Sequence, residues 1–173
     1  MHLFKNNFLP SLLFLLFTML CAISCKTVAP LTNVDLSKDG WTTKQGQAVW
    51  KANKKMPEIA GDILVATHPD GQNLVQFSKT PFTLFLGRTT AYSWELKFFM
   101  PEERRLSGKG NPPKRFPIGW LYFKKLPWAW LYLPRCLAGL PPPKNWKWEI
   151  LDNNSWRLSN YKTGESLQGY LEQ

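Results

Sequence analysis

Apolar and polar residues alternate along much of this chain, and the alternation predicts β-strands. The clearest case is residues 92–99, where Trp94, Leu96 and Phe98 fall on one face of an extended chain and two charged residues fall on the other. A two-residue period of this kind is typical of a strand with one face on the protein core. We therefore expect these three side chains to point inward.

Three segments before this one also predict strands. Residues 62–67 and 73–78 are rich in β-favouring side chains, and the Pro-Asp-Gly turn between them predicts a hairpin. Residues 82–88 follow a second, proline-containing break, and Leu84 is expected on the inward side. With the first segment, these runs predict a four-stranded antiparallel meander.

The end of the chain predicts a second, shorter meander. Residues 146–150, 156–160 and 167–171 are β-rich and are separated by turns that contain Asn, Asp and Gly. Within the first of these runs, Trp146 and Trp148 share one face, which we expect to be the inward one.

The most apolar block, residues 116–140, lies between the two meanders. It contains three prolines, which remove backbone donors and exclude one long helix, although proline is tolerated at the first position of a helix. We expect two or three short helical pieces that cover the sheet, with Trp120 and Trp130 facing it. The predicted fold class is mainly β (α+β): a curved antiparallel sheet or half-barrel with a short, proline-broken helical lid.

Two other segments have weaker patterns. Residues 40–55 place Trp41, Ala48 and Trp50 among polar and basic residues, which predicts one short amphipathic helix that an internal glycine weakens. Residues 101–114 are polar, basic and rich in Gly and Pro, which predicts either an exposed loop or a frayed edge strand.

The N-terminal residues have the layout of a secretory signal. Lys5 precedes an apolar run over residues 12–20, which is short for a membrane span, and small residues then precede Cys25. The sequence Ala-Ile-Ser-Cys at this point resembles the lipobox of bacterial lipoproteins. That resemblance implies cleavage before Cys25, diacylglycerol on its thiol and acylation of the new N terminus. The alternative is an ordinary signal cleaved near Ala22 or Ser24, with Cys25 left as a free thiol.

We therefore expect residues 1–24 to be a signal peptide, residues 25–39 a tether, and residues 40–173 a single β-rich domain. The expected location is the cell envelope, with membrane lipid as the partner through acylated Cys25. Lys26 after Cys25 is, by resemblance to lipoproteins of diderm bacteria, compatible with the periplasmic face of the outer membrane. The sequence does not indicate an oligomeric state.

The charge and the cysteine content narrow the range of possible functions further. The chain has 22 Lys and Arg against 12 Asp and Glu, a formal net charge of +10. Export argues against nucleic acid as the partner, so we expect the positive charge to face anionic lipids or envelope polymers. Three Cys and two His supply neither a disulfide framework nor a zinc site, and no metal or cofactor is expected. Cys136 is expected to be reduced and buried among leucines.

Three short motifs resemble the LolA/LolB-like lipoprotein carriers. They are Asp70-Gly71 in the first hairpin, KTPFTL at residues 79–84, and LAGLP at residues 137–141. In that family, a helical lid closes an incomplete β-barrel over an apolar cavity, which implies binding or transfer of lipid or lipoprotein acyl chains. The resemblance also implies that Phe82, after the proline-containing turn, touches the bilayer. A lineage-specific lipoprotein family without a known activity is equally compatible with these residues.

The first functional hypothesis is therefore an open apolar cavity in the half-barrel. Its competing outcome is a solid core, in which the same side chains interdigitate at native packing density. The candidate ligand or membrane residues are Phe82, Leu84, Trp94, Leu96, Phe98, Trp146 and Trp148, with Trp120 and Trp130 on the lid.

The second hypothesis is a non-catalytic module that binds cell-wall or other envelope carbohydrate, which requires coplanar exposed tryptophan rings. We do not expect an enzyme. The carboxylates of Glu58, Asp62, Glu95 and Glu149 are available, but their spacing does not establish that two of them face one another across a cleft.

Overall fold

The computed structural model describes residues 34–99, 103–110, 127–151 and 154–172. All of them belong to one compact unit, Leu31–Gln173. The predicted signal peptide, Cys25, Trp120 and most of the predicted tether lie outside the described residues.

The described residues form nine β-strands and one α-helix. They are β1 Thr42–Lys51, β2 Glu58–Thr67, β3 Asn73–Lys79, β4 Phe82–Thr89, β5 Ser93–Phe98, β6 Arg104–Lys109, α1 Ala129–Leu137, β7 Trp146–Ile150, β8 Ser155–Asn160 and β9 Ser166–Leu171. The strands form one antiparallel sheet in the order β6-β5-β4-β3-β2-β1-β9-β8-β7. Among the described strands, β6 pairs only with β5 and β7 only with β8, so the sheet is open. The prediction of a mainly β fold built on an antiparallel sheet is confirmed.

The helix predicted for residues 40–55 is wrong, because β1 occupies this segment. β1 pairs with β2 along its whole length and with β9 over its C-terminal half, so it joins the two predicted meanders into one sheet. Glycine disfavours a helix, but Gly46 fits the narrow space between β1 and β9. A Cβ atom there would collide with the backbone oxygen of Tyr170 in β9.

Residues 104–109 form an edge strand, β6, so the edge-strand alternative for this segment is the correct one. Leu106 is buried opposite Leu96 of β5, whereas its neighbours Arg105 and Ser107 are exposed. The strand is therefore held by one inward side chain, by its backbone hydrogen bonds to β5 and by the ion pair of Arg105 with Glu95 of β5.

The helix α1 continues through Pro134, so the break expected at this proline is absent. Pro134 is the sixth of the nine helical residues, so it removes one backbone donor inside α1 without ending the helix. Termination comes shortly afterwards at Gly139, whose φ of 78° allows the N–H of Leu140 to donate to the backbone oxygen of Arg135 at 3.0 Å.

The face of the sheet that packs against α1 is called the inner face here. Trp130 of α1 is 1% exposed, and its ring centroid lies 4.6 Å from that of Phe77, 5.8 Å from that of Phe85 and 6.3 Å from that of Trp50. These four residues form the aromatic cluster. Gly87 lets the helix approach β4, since a Cβ there would lie 3.2 Å from the backbone oxygen of Trp130. Burial of one large apolar side chain contributes about 1.5–3 kcal/mol, so the cluster anchors α1 to the sheet.

The strand pairing defines two ends of the sheet. The Phe82 end contains the turns at residues 52–57, 80–81 and 161–165, and the His68 end contains the turns at residues 68–72 and 90–92. α1 begins at the Phe82 end, near Glu165, and its C-terminal part lies at the His68 end.

Candidate functional site

A pocket of about 870 Å³ lies at the His68 end, between the sheet and the C-terminal part of α1. Strands β1 to β5 supply one wall, and α1 with the proline-rich segment after it supplies the other. Ligand pockets in proteins have volumes of roughly 300–1,000 Å³, so this pocket is large enough for a small apolar or amphipathic molecule. Its main apolar lining residues are Val65, Trp94, Leu131, Tyr132, Leu137 and Leu140.

The buried residues of the pocket lining are apolar because they come from the inward-facing positions of the strands and of α1. Val65 of β2 and Trp94 of β5 are buried on the inner face, and Leu131 and Tyr132 of α1 are buried opposite them. Burial, together with the nearby carboxyl group of Glu165, raises the pKa of Tyr132 to about 12. Its hydroxyl therefore stays protonated and uncharged at neutral pH.

The rim of the pocket is positively charged. Lys44 of β1, Arg135 of α1 and Lys144 after α1 line it, and all three are exposed. Within the described part of the chain, the lining contains no Asp or Glu. His68 also lines the pocket, but its Nδ1 lies 2.8 Å from Oδ1 of Asp70, so this side chain already has an acidic partner.

The structure separates the predicted lining residues into two groups. Trp94 lines the pocket, whereas Leu96 and Phe98 are buried in the core, and the ring of Phe98 lies 5.5 Å from that of Phe85. Trp130 belongs to the aromatic cluster. The inner face is thus filled by interdigitating aromatic side chains in one part and leaves open space at the His68 end.

The remaining candidates do not line the pocket. Leu84 is partly buried against the core, and Phe82 is 58% exposed at the β3–β4 turn. Trp146 packs edge-on against Tyr132 at 5.4 Å, and Trp148 stacks on Trp156 at 5.8 Å.

Several lining residues were not selected from the sequence. Val65 lies two residues after Ile63 in β2, so the two-residue alternation of this strand places both on the same, buried face. Leu131 and Tyr132 could not be chosen in the same way, because the side of α1 that faces the sheet depends on how the helix packs. The cationic rim joins residues about 100 positions apart in the chain, from Lys44 to Lys144.

No described tryptophan is exposed. Each is buried or partly buried, and the strongly exposed aromatic residues in the described ranges are Phe82, Tyr92 and Tyr161. The coplanar exposed tryptophans that carbohydrate binding requires are therefore not seen among residues 34–99, 103–110, 127–151 and 154–172.

The four carboxylates considered for catalysis lie outside the pocket lining. Glu95 is fully buried and accepts a hydrogen bond from Nη2 of Arg105 at 2.8 Å. Glu58 pairs with Lys51 at 3.3 Å. Glu149 pairs with a lysine of its own strand, and Asp62 accepts a hydrogen bond from a threonine hydroxyl. In the described ranges no group of three His, Cys, Asp or Glu side chains could hold a metal ion.

Cys136 is buried and free, as predicted. Desolvation raises the pKa of its thiol to about 11, although the positive charge of Arg135 acts in the opposite direction. The thiol therefore stays protonated and unreactive at neutral pH, and Cys136 acts as a small apolar residue in α1.

Glu165 is a buried carboxyl group at the start of α1. Its Oε1 accepts hydrogen bonds from the backbone N–H of Ala129 at 3.1 Å and from Nε1 of Trp50 at 3.4 Å. Burial raises the pKa of Glu165 to about 8, because desolvation outweighs these hydrogen bonds. A residue of the β8–β9 turn thus caps the helix from 36 positions away.

No protein-family model and no curated protein matches the chain. Within the described ranges, no helix is long and apolar enough to cross a membrane.

Proposed function

We propose that this protein is a membrane-anchored lipoprotein of the cell envelope that binds an apolar ligand, such as a lipid or lipoprotein acyl chain, at the His68 end of its sheet. The observation that carries the proposal is the pocket of about 870 Å³ with Val65, Trp94 and Leu131 in its wall. Apolar walls suit binding or transfer, because removal of apolar surface from water drives such association.

The arrangement of the sheet and helix supports a half-barrel with a lid. An open antiparallel sheet carries α1 on one face, and the aromatic cluster holds the N-terminal half of the helix in place. The space beside the C-terminal half is the proposed binding site. This arrangement, with the KTPFTL and LAGLP motifs, also supports the proposed relationship to the LolA/LolB-like carriers.

Membrane attachment is the other part of the proposal, and it rests on the N-terminal sequence. The apolar run and the lipobox-like residues before Cys25 support export, cleavage and acylation. Two or more acyl chains give stable anchoring where a single chain is marginal. The proposed location is the periplasmic face of the outer membrane.

Photolabelling tests the pocket directly. The full chain, reconstituted in nanodiscs of uncharged phosphatidylcholine, would be irradiated with a diazirine derivative of dodecanol, and the labelled residues would be located by mass spectrometry. We expect label on the α1 peptide that contains Leu131 and Tyr132. An uncharged probe is used so that the result depends only on the apolar walls.

A matched pair of variants makes this test specific. Thr67→Trp places a large ring inside the pocket, whereas Thr43→Trp places the same ring on the opposite face of the neighbouring strand β1. We expect Thr67→Trp to reduce labelling of α1 by about tenfold, because the ring occupies the volume available to the probe. Thr43→Trp should leave it unchanged. Equal labelling of α1 in both variants, or none in the unmodified chain, would refute the proposed function.

A further inference from the structure

Building on the proposed function, we infer that the pocket selects amphiphiles with an anionic head group. The rim carries Lys44, Arg135 and Lys144, and no Asp or Glu contributes to the described lining. A cationic rim around an apolar interior complements a molecule with a negative head and an apolar tail. A carboxylate and a phosphate both satisfy this requirement.

The two rim lysines have no acidic partner within the described residues. Neither Lys44 nor Lys144 takes part in an ion pair or a side-chain hydrogen bond there. Three other lysines of the sheet do have partners, and these pairs are Lys51 with Glu58, Lys97 with Glu103 and Lys147 with Glu149. Lys44 and Lys144 therefore offer two cations at the pocket mouth without a competing carboxylate from the described residues.

The positions of the lysines place a head group across the pocket mouth. Lys44 is on β1, at one wall, and Lys144 follows the proline-rich segment that forms the other wall. Each ammonium group offers up to three donors to a carboxylate or phosphate oxygen. With the head held there, the tail extends along Val65, Trp94 and Leu131.

Competition for the photolabel tests this selection. The full chain in phosphatidylcholine nanodiscs would be labelled with the dodecanol probe in the presence of unlabelled dodecanoate, dodecyl phosphate, dodecanol or dodecyltrimethylammonium. We expect dodecanoate and dodecyl phosphate to reduce labelling of α1 at about tenfold lower concentration than dodecanol, and the cation to be the weakest competitor. The stronger competitor of the two anions shows whether the pocket prefers a fatty-acid or a phospholipid type of head group.

Substitutions of the two rim lysines, with a lysine elsewhere as control, test whether the rim causes the preference for anions. Lys44→Gln and Lys144→Gln should each weaken competition by the anions about two- to fivefold, the usual range for a partly exposed ion pair, and the double variant by about tenfold. Lys79→Gln, an exposed lysine at the Phe82 end, should change nothing. Competition by dodecanol should be the same in all four variants as in the unmodified chain. High salt should reduce the preference of the unmodified chain for anions.

The outcomes separate this inference from the proposed function. If α1 is labelled and dodecanol competes as well as the two anions, the pocket is real and the selection of anions is refuted. A preference for anions that survives in the double variant also refutes the role of the rim. Failure to label α1 at all refutes the proposed function itself.

Discussion

The buried carboxyl group of Glu165 makes the stability of this protein depend on pH. The carboxyl is 3% exposed, and its pKa is raised from 4.5 to about 8. The folded protein therefore holds a proton that the unfolded chain has already lost. The contribution of this carboxyl group to the free energy of unfolding should be largest below pH 4.5 and should fall as the pH rises towards 8.

The difference between the two pKa values sets the magnitude. Each pH unit between them costs about 1.36 kcal/mol, so the change from 4.5 to about 8 corresponds to a loss of up to about 5 kcal/mol. Glu165→Gln removes the titrating group but keeps an oxygen that can accept from the N–H of Ala129 and from Trp50. We therefore expect this variant to match the unmodified chain at pH 4.5 and to exceed its stability by several kcal/mol at pH 8.

Urea unfolding of the full chain, followed by tryptophan fluorescence between pH 4.5 and 8, measures this difference. The other titrating groups are the same in Glu165→Gln and in the unmodified chain, so the stability difference between these two chains reports on Glu165 alone. Glu58→Gln is the control, because Glu58 is an exposed carboxylate that pairs with Lys51 at the surface. A stability difference between Glu165→Gln and the unmodified chain that does not change with pH would refute the assignment of a raised pKa to this carboxyl group.

Three further predictions concern single residues. Cys25→Ser should release the protein from membranes into the soluble envelope fraction, because the acyl anchor is lost; persistence in the membrane after a carbonate wash would contradict the lipid anchor. In the Cys25→Ser chain, Phe82→Glu should weaken cosedimentation with uncharged phosphatidylcholine liposomes and leave the melting temperature nearly unchanged, while Tyr92→Glu, at the other end of the sheet and 83% exposed, should have no effect; a large loss of stability would show that Phe82 supports the core. Cys136→Ala should cost about 1 kcal/mol of stability, since a small buried side chain is truncated, and a bulky maleimide should label native Cys136 only slowly; rapid labelling would argue against its burial.

The strands of both meanders could be predicted because strand formation leaves a local signal. The two-residue alternation that places Trp94, Leu96 and Phe98 on one face needs only neighbouring residues, and the structure has all three on the inner face. The prediction failed for β1, where Ala48 and Trp50 satisfy a strand as well as an amphipathic helix. Pairing with β2 and β9 decided between the two.

The placement of the pocket could not be predicted because it depends on contacts between distant segments. Local patterns in the sequence were enough to predict an apolar inner face, a proline-rich helical block, a free cysteine and an excess of positive charge. Contacts between distant segments determine which inward residues fill space and which line the pocket: Trp130 inserts between Trp50, Phe77 and Phe85, whereas Leu131 and Tyr132 of the same helix line the open space at the His68 end. The direction in which a helix presents its side chains follows from its packing against the sheet, and packing is a property of the whole fold.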